Sequence, residues 1–169
     1  MPFWRTYYHL VWTTRNREPL ITPQVEAGLY AYMLRKAGEL GVFVYAVNGC
    51  SDHVHMIVAI PPHVCVAELV KLVKGASSHE LNQRRPDLHF AWQRGYGVVT
   101  LGQRQRADAE AYVRRQKEHH AQTMAVAWLE YVTEGDEGPR DVGSTETRQP
   151  EPSVREEQAP YGAHGEPMF

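Results

Sequence analysis

Cysteine is scarce in this chain, with two in 169 residues. Cys50 and Cys65 do not form a CxxC spacing, and two thiols are too few for the disulfide framework of a small secreted domain. Long apolar runs are also missing; none approaches the roughly 20 residues that cross a bilayer. The first residues, MPFWRTYYHL, lack the apolar stretch and cleavage site of a signal peptide. There are no internal repeats. These absences lead us to expect a cytoplasmic protein with reduced thiols and no membrane contact. A chain of this length, 43% apolar, can bury a real core.

Net charge is also small, at −2, but it is unevenly spread. Residues 1–132 hold 15 Lys and Arg against 11 Asp and Glu, and residues 133–169 hold three against nine. The segment 71–117 carries ten basic side chains and four acidic ones, a polyanion footprint if they share a surface and ordinary solvated helix faces if they do not. From Thr133 on, Gly, Pro, Glu and Ser dominate and hydrophobic periodicity vanishes. Residues 1–132 are therefore expected to form one domain, and 133–169 an acidic, disordered tail.

What is present is organised as β-α-β-β-α-β-α. RTYYHLVWTT (5–14) reads as a strand. Thr22-Pro23 opens a helix whose apolar residues recur from Val25 to Leu40, with Gly41 as its stop. VFVYAV (42–47) reads as a buried strand, with Asn48-Gly49 starting the turn into a strand at 53–60. Residues 64–82 form a second amphipathic helix, 96–101 a short strand and 107–130 a long third helix. That order predicts an α+β, ferredoxin-like antiparallel sheet with two helices on one face, plus a C-terminal catalytic helix.

The chemistry concentrates in two segments. In SDHVHMIVAI, His53 and His55 share one face of a strand, while Val54, Met56, Val58 and Ile60 point to the other. Two neutral imidazoles side by side are half of a divalent-metal site. In AYVRRQKEHH, Tyr112 and Gln116 are four residues apart on one side of a helix. The Gln116 amide oxygen would complete a three-ligand site with open positions for phosphate oxygens. The Tyr112 phenol is a potential nucleophile at phosphorus. Asp52 can hydrogen-bond a ligating imidazole or serve only as a turn residue. Lys71, Lys74, Arg84 and Arg85 could track a DNA backbone, as could Arg104 and Arg115 on and before the third helix. Trp92 and Tyr96 suit base stacking or core packing equally.

These segments resemble the small HUH-type (His-hydrophobic-His) single-tyrosine transposases of minimal bacterial insertion sequences, of which the REP-associated tyrosine transposases are close relatives. The resemblance covers about residues 5–122, through YYHLVWTTRNREPLI, SDHVHMIVAIPP, LVKLVKGASSHELN, WQRGYGV and AYVRRQKEHH in that order. It implies that His53, His55 and Gln116 hold Mg²⁺ or Mn²⁺ and that Tyr112 is the nucleophile. It further implies single-stranded DNA with hairpin ends as the substrate, a 5′-phosphotyrosine and free 3′-OH as products, and a homodimer. In such dimers the tyrosine helix of one protomer can serve the histidine pair of the other; GQRQRAD, around Gln103 and Arg104, reads as a linker allowing either geometry. The chain departs from the family where VVTLGQRQR follows GYG.

Three other readings share parts of this pattern. A domesticated relative acting on chromosomal palindromic repeats would use identical chemistry. A non-catalytic nucleic-acid-binding module would share the fold, although no [KR]G[FY][GA]FV stacking pattern occurs here. A metal-dependent phosphohydrolase would use water in place of Tyr112.

Overall fold

The computed structural model describes residues 3–117. The expected order is found: β1 (Tyr7–Thr13), α1 (Pro23–Glu39), β2 (Phe43–Gly49), β3 (His53–Ala59), α2 (Val66–Arg84), β4 (Gly97–Leu101) and α3 (Gln103–Arg114). The strands form one sheet in the order β2-β3-β1-β4, every neighbour antiparallel. The central strands are thus β1 and β3, which carry the longest apolar alternation. The acidic segment 133–169 and residues 118–130 of the expected third helix lie outside the described residues.

Alternation divides the sheet into two unequal faces. Leu10 and Trp12 of β1, with Val54, Met56 and Val58 of β3, face α1 and α2. Those helices contribute Val25, Leu29, Met33 and Ala37, and Leu69, Val70, Val73 and Leu81, at helical spacing. Among the described residues, seventeen buried ones make this cluster, whereas the one beneath α3 has Ala46, Ile57 and Val113 buried, with Tyr45, Leu101, Ala109 and Tyr112 partly so. Each fully buried aliphatic side chain stabilises the fold by about 1.5–3 kcal/mol. The first face therefore holds the domain together, and α3 must be kept in place largely by polar contacts.

Several sequence expectations shift in detail. The second strand is an edge rather than a buried one: Phe43 is 60% exposed, and the register slips between Val44 and Ala46, so Tyr45 is an extra, bulged residue. Asn48 and Gly49 belong to β2, opposite His55 and Val54, and do not start the turn, which is left to Cys50, Ser51 and Asp52. Backbone bonds from Thr14 to Asp52 and from Ile21 to Ser51 hold that turn against the β1–α1 loop, which explains how it can be longer than a tight hairpin. Helix α3 starts at Gln103 and not at 107. No linker remains around Gln103 and Arg104; Gly102 alone joins β4 to α3, its N–H donating to Gln105 Oε1 at 3.0 Å. The polar 82–95 segment is ordered by α2. Asn82 brackets Phe90 through both its amide groups, at 2.7 and 2.8 Å, and Trp92 Nε1 donates to Ser77 Oγ. Trp92 packs on Trp12 and Phe90, so its ring serves the core.

Gly49 is required by a close approach. A Cβ there would lie 2.1 Å from the His53 carbonyl oxygen and 2.9 Å from Val54 Cα, both backbone atoms. Gly49→Ala should therefore cost about 1–3 kcal/mol in urea unfolding, because the hairpin must shift to admit one methyl group. An unchanged midpoint and slope would contradict this packing.

A histidine pair beneath a tethered helix

The register explains how the site is assembled. Directly opposed residues in an antiparallel sheet point to the same side. His55 of β3 therefore lies in one row with Val11 of β1 and Asn48 of β2, and Ile57 in the next with His9 and Ala46. All of these face α3. His53 and His55 come together as their spacing requires, with ring centroids 5.0 Å apart at an interplanar angle of 86°. Both are buried, at 3% and 0% exposure.

Each imidazole is held through Nδ1. His53 Nδ1 donates to Asp52 Oδ1 at 2.6 Å, and Arg17 meets the other carboxylate oxygen at 3.2 Å. Burial pushes the Asp52 carboxyl up, but the hydrogen bonds and charges of His53 and Arg17 outweigh it and leave its pKa below the usual value. Asn16 and Arg17 reach this position through left-handed backbone, at φ 53° and 54°, strained for residues with a Cβ. The partner of His55 is a histidine that sequence reasoning missed: His9 Nε2 lies 2.8 Å from His55 Nδ1, the two rings nearly parallel at 7°. The signal was a lone histidine at an inward position of an otherwise apolar strand. Burial lowers the His9 pKa to about 4, so its ring is neutral at neutral pH. The nitrogen that His53 and His55 can each offer a cation is therefore Nε2.

Helix α3 is tethered over this face. Asn48 Nδ2 donates to the carbonyls of Val113 and Arg114, both at 3.0 Å. Asn48 thus caps the helix C-terminus, which ends at Arg115 with φ −99° and ψ 17°. The Arg114 guanidinium donates to the Tyr45 carbonyl at 2.8 Å, and Arg106 lies over the Tyr45 ring at 4.3 Å. Lys117 pairs with Glu26 of α1 at 2.6 Å. Past the break, Gln116 is fully buried, two residues beyond a carbonyl anchored to the strand neighbour of His55. Tyr112 is half-buried against Ala46, Ile57 and Val113.

The predicted DNA-binding residues do not all gather here. Arg104 and Arg115 are exposed on the α3 side. Lys71 and Arg84 are exposed on α2 and Arg85 just past its end, in the layer behind the sheet, where Arg84 pairs with Glu80 and Arg85 with Asp87. Lys74 donates to the carbonyls of Gln93 and Gly95 at 2.7 and 2.6 Å, and burial pushes its ammonium down to about 8. It fastens the 93–95 loop to α2. Among the described residues, no three His, Cys, Asp or Glu side chains cluster around a cation position. Gln116, the third residue expected at the site, carries an amide instead and lies two residues past the helix end that Asn48 caps.

Two consequences can be measured. Asn48→Ala removes two hydrogen bonds worth about 0.5–1.5 kcal/mol each, so amide exchange in α3 should quicken about tenfold while β1 and β3 keep their protection. Uniform protection would contradict the tether. The second concerns acid. Between pH 6.5 and about 4 the unfolded chain protonates His9 and the folded protein does not, so stability falls as pH falls through that window. The loss is on the order of 3 kcal/mol. His9→Gln should flatten that part of the stability–pH curve; an equally steep curve would contradict it.

Similarity to known proteins agrees with this geometry. The family model described as "Transposase IS200 like" matches residues 2–116. The ISDra2 transposase TnpA of Deinococcus radiodurans is 27% identical over 115 residues, spanning 64% of this chain and 82% of that protein. The transposase for insertion sequence element IS200 of Salmonella typhimurium is 28% identical over 121 residues, spanning 68% and 79%. A transposase crystal structure from Deinococcus radiodurans superposes with a TM-score of 0.57 at 26% identity, covering 69% of this chain and 95% of that one. A REP-associated tyrosine transposase bound to a REP hairpin shares the fold, with a TM-score of 0.54 at 14% identity over 74% and 76%. A matched family spanning the whole sheet and α3, with the histidine strand and the tyrosine helix on one face, makes this chain a member of the IS200-like transposase family.

Proposed function

We propose that this transposase cleaves and rejoins single-stranded DNA with hairpin ends through a phosphotyrosine on Tyr112, with Mg²⁺ or Mn²⁺ held by His53, His55 and Gln116. The observation that carries the reading is the pair of imidazoles, each anchored at Nδ1 and buried beneath the helix that bears Tyr112 and leads into Gln116. Two neutral nitrogens and one amide oxygen suit a divalent ion that still has positions open for phosphate. Bound there, the ion would draw charge from a non-bridging phosphate oxygen.

The chain's own residues supply the rest. The Tyr112 oxygen attacks phosphorus; a tyrosine O–P bond forms, the P–O3′ bond breaks, and the 3′ oxygen leaves with a proton. The 5′ phosphate stays on the enzyme, and a second 3′-OH displaces Tyr112 by the reverse step. The energy of the ester is kept in the covalent bond, so no external nucleotide is needed. His55 is fully buried, so DNA reaches the site only when the elements over this face part. Weak apolar packing beneath α3 makes that helix the element to part. Exposed Arg104 and Arg115 lie on the side from which the strand would enter, and Lys71, Arg84 and Arg85 suit the more distant backbone of a hairpin. The functional unit of this reading is a homodimer.

The reading is tested with single-stranded oligonucleotides from the flanks of the gene, incubated with protein and Mg²⁺ or Mn²⁺. A denaturing gel should show a protein–DNA adduct carrying the 5′ end, absent with chelator and absent in Tyr112→Phe. Cleavage without an adduct would overturn the tyrosine mechanism in favour of a hydrolase.

A further inference from the structure

The two proposed imidazole ligands are backed unequally. Asp52, an ionised carboxylate, can only accept, so it fixes the proton of His53 on Nδ1. At His55 the group that meets Nδ1 is another imidazole, that of His9, which can either donate or accept. An imidazole between neutral tautomers presents either a lone pair or an N–H at Nε2. Only the Nδ1–H tautomer can bind a cation through Nε2. Something must select it.

We infer that His9 is the positioning residue of His55, accepting the His55 Nδ1–H at its own Nε2 and so turning a lone pair at His55 Nε2 toward the cation. This deepens the proposed function and rests on the metal site assigned there. The register makes the contact possible. His9 lies opposite Ile57 and diagonal to His55 on the same face, the separation that long side chains bridge across a pair of strands. Near-parallel rings 5.0 Å apart align the two nitrogens edge to edge at 2.8 Å.

A stabilising role is a poor alternative account of His9. It is 1% exposed, and its Nδ1 has no hydrogen-bond partner among the described residues. A half-satisfied polar ring in a sheet interior costs stability that an aliphatic side chain of similar size would not. Leu10 and Val11 beside it show that the strand accepts such residues. His9→Leu should therefore fold at least as stably as the wild type while losing the acceptor. His9→Gln keeps one, because the glutamine Oε1 lies about where Nε2 does. Ligand orienters of this kind typically change metal affinity 10- to 100-fold.

The test reads tautomers first. In ¹H–¹⁵N long-range spectra of metal-free, ¹⁵N-histidine-labelled protein above pH 7, His55 should be the Nδ1–H tautomer in the wild type and in His9→Gln. In His9→Leu it should shift toward Nε2–H. Mn²⁺ affinity, read from the electron paramagnetic resonance of the free ion, should fall 10- to 100-fold in His9→Leu and recover most of that in His9→Gln. An Nε2–H tautomer at His55 in the wild type would overturn the inference without any variant, as would unchanged affinity in a folded His9→Leu protein. The expected tautomers with no Mn²⁺ uptake by the wild type would overturn the metal site, and the role of His9 with it.

Discussion

The antiparallel pairing of β1 with β3 is the constraint on which the rest depends. It sets Val11 opposite His55, Thr13 opposite His53 and His9 opposite Ile57. A slip of one residue would turn the histidines into the apolar layer and Val54 and Met56 out of it. The seventeen-residue cluster on the α1–α2 face makes such a slip expensive. The stability of one face thereby fixes the chemistry of the other. The imidazoles need no rigidity of their own, because the strand that bears them is the best-buried in the sheet, with all seven residues inside.

Helix α3 follows a different rule. Among the described residues, Val113 is its one fully buried apolar side chain, packed with Ala109 and Tyr112 on Ala46 and Ile57, and its polar hold comes from Asn48 and the Tyr45 carbonyl and ring, with Lys117 just past it pairing with Glu26 of α1. Polar tethers of this kind can be exchanged for water at modest cost, whereas a large apolar interface cannot. A firmly packed histidine strand and a tyrosine helix held more by polar contacts suit the proposed reaction, in which DNA enters, becomes covalently attached and leaves. The single residue Gly102 between β4 and α3 limits how far the first turn of that helix can travel.

Much of this was legible in the sequence because it depends on local periodicity. The HVHMIVA alternation separates the histidine face from the core face, and the element order follows from apolar spacing and turn residues. Helix α3 was expected too late because QRQR offers no apolar residue to mark a first turn, although its residues favour helix and Gln105 caps the Gly102 N–H. The bulge at Tyr45 and the strand character of Asn48-Gly49 depend on pairing across strands, which no local window contains. The same holds for the partners of the site: Arg17 reaches Asp52 and His9 reaches His55 only once β1 lies beside β3. A lone histidine in an apolar strand was a visible signal, but its meaning was set by the register.

The central claim is that one sheet face delivers two imidazole nitrogens to a single divalent ion. Electron spin-echo spectroscopy of Mn²⁺ bound to the ¹⁵N-histidine-labelled protein counts those nitrogens directly. The account predicts two coupled histidine nitrogens, reduced to one by His53→Ala or His55→Ala. Bound Mn²⁺ with no histidine coupling would contradict it.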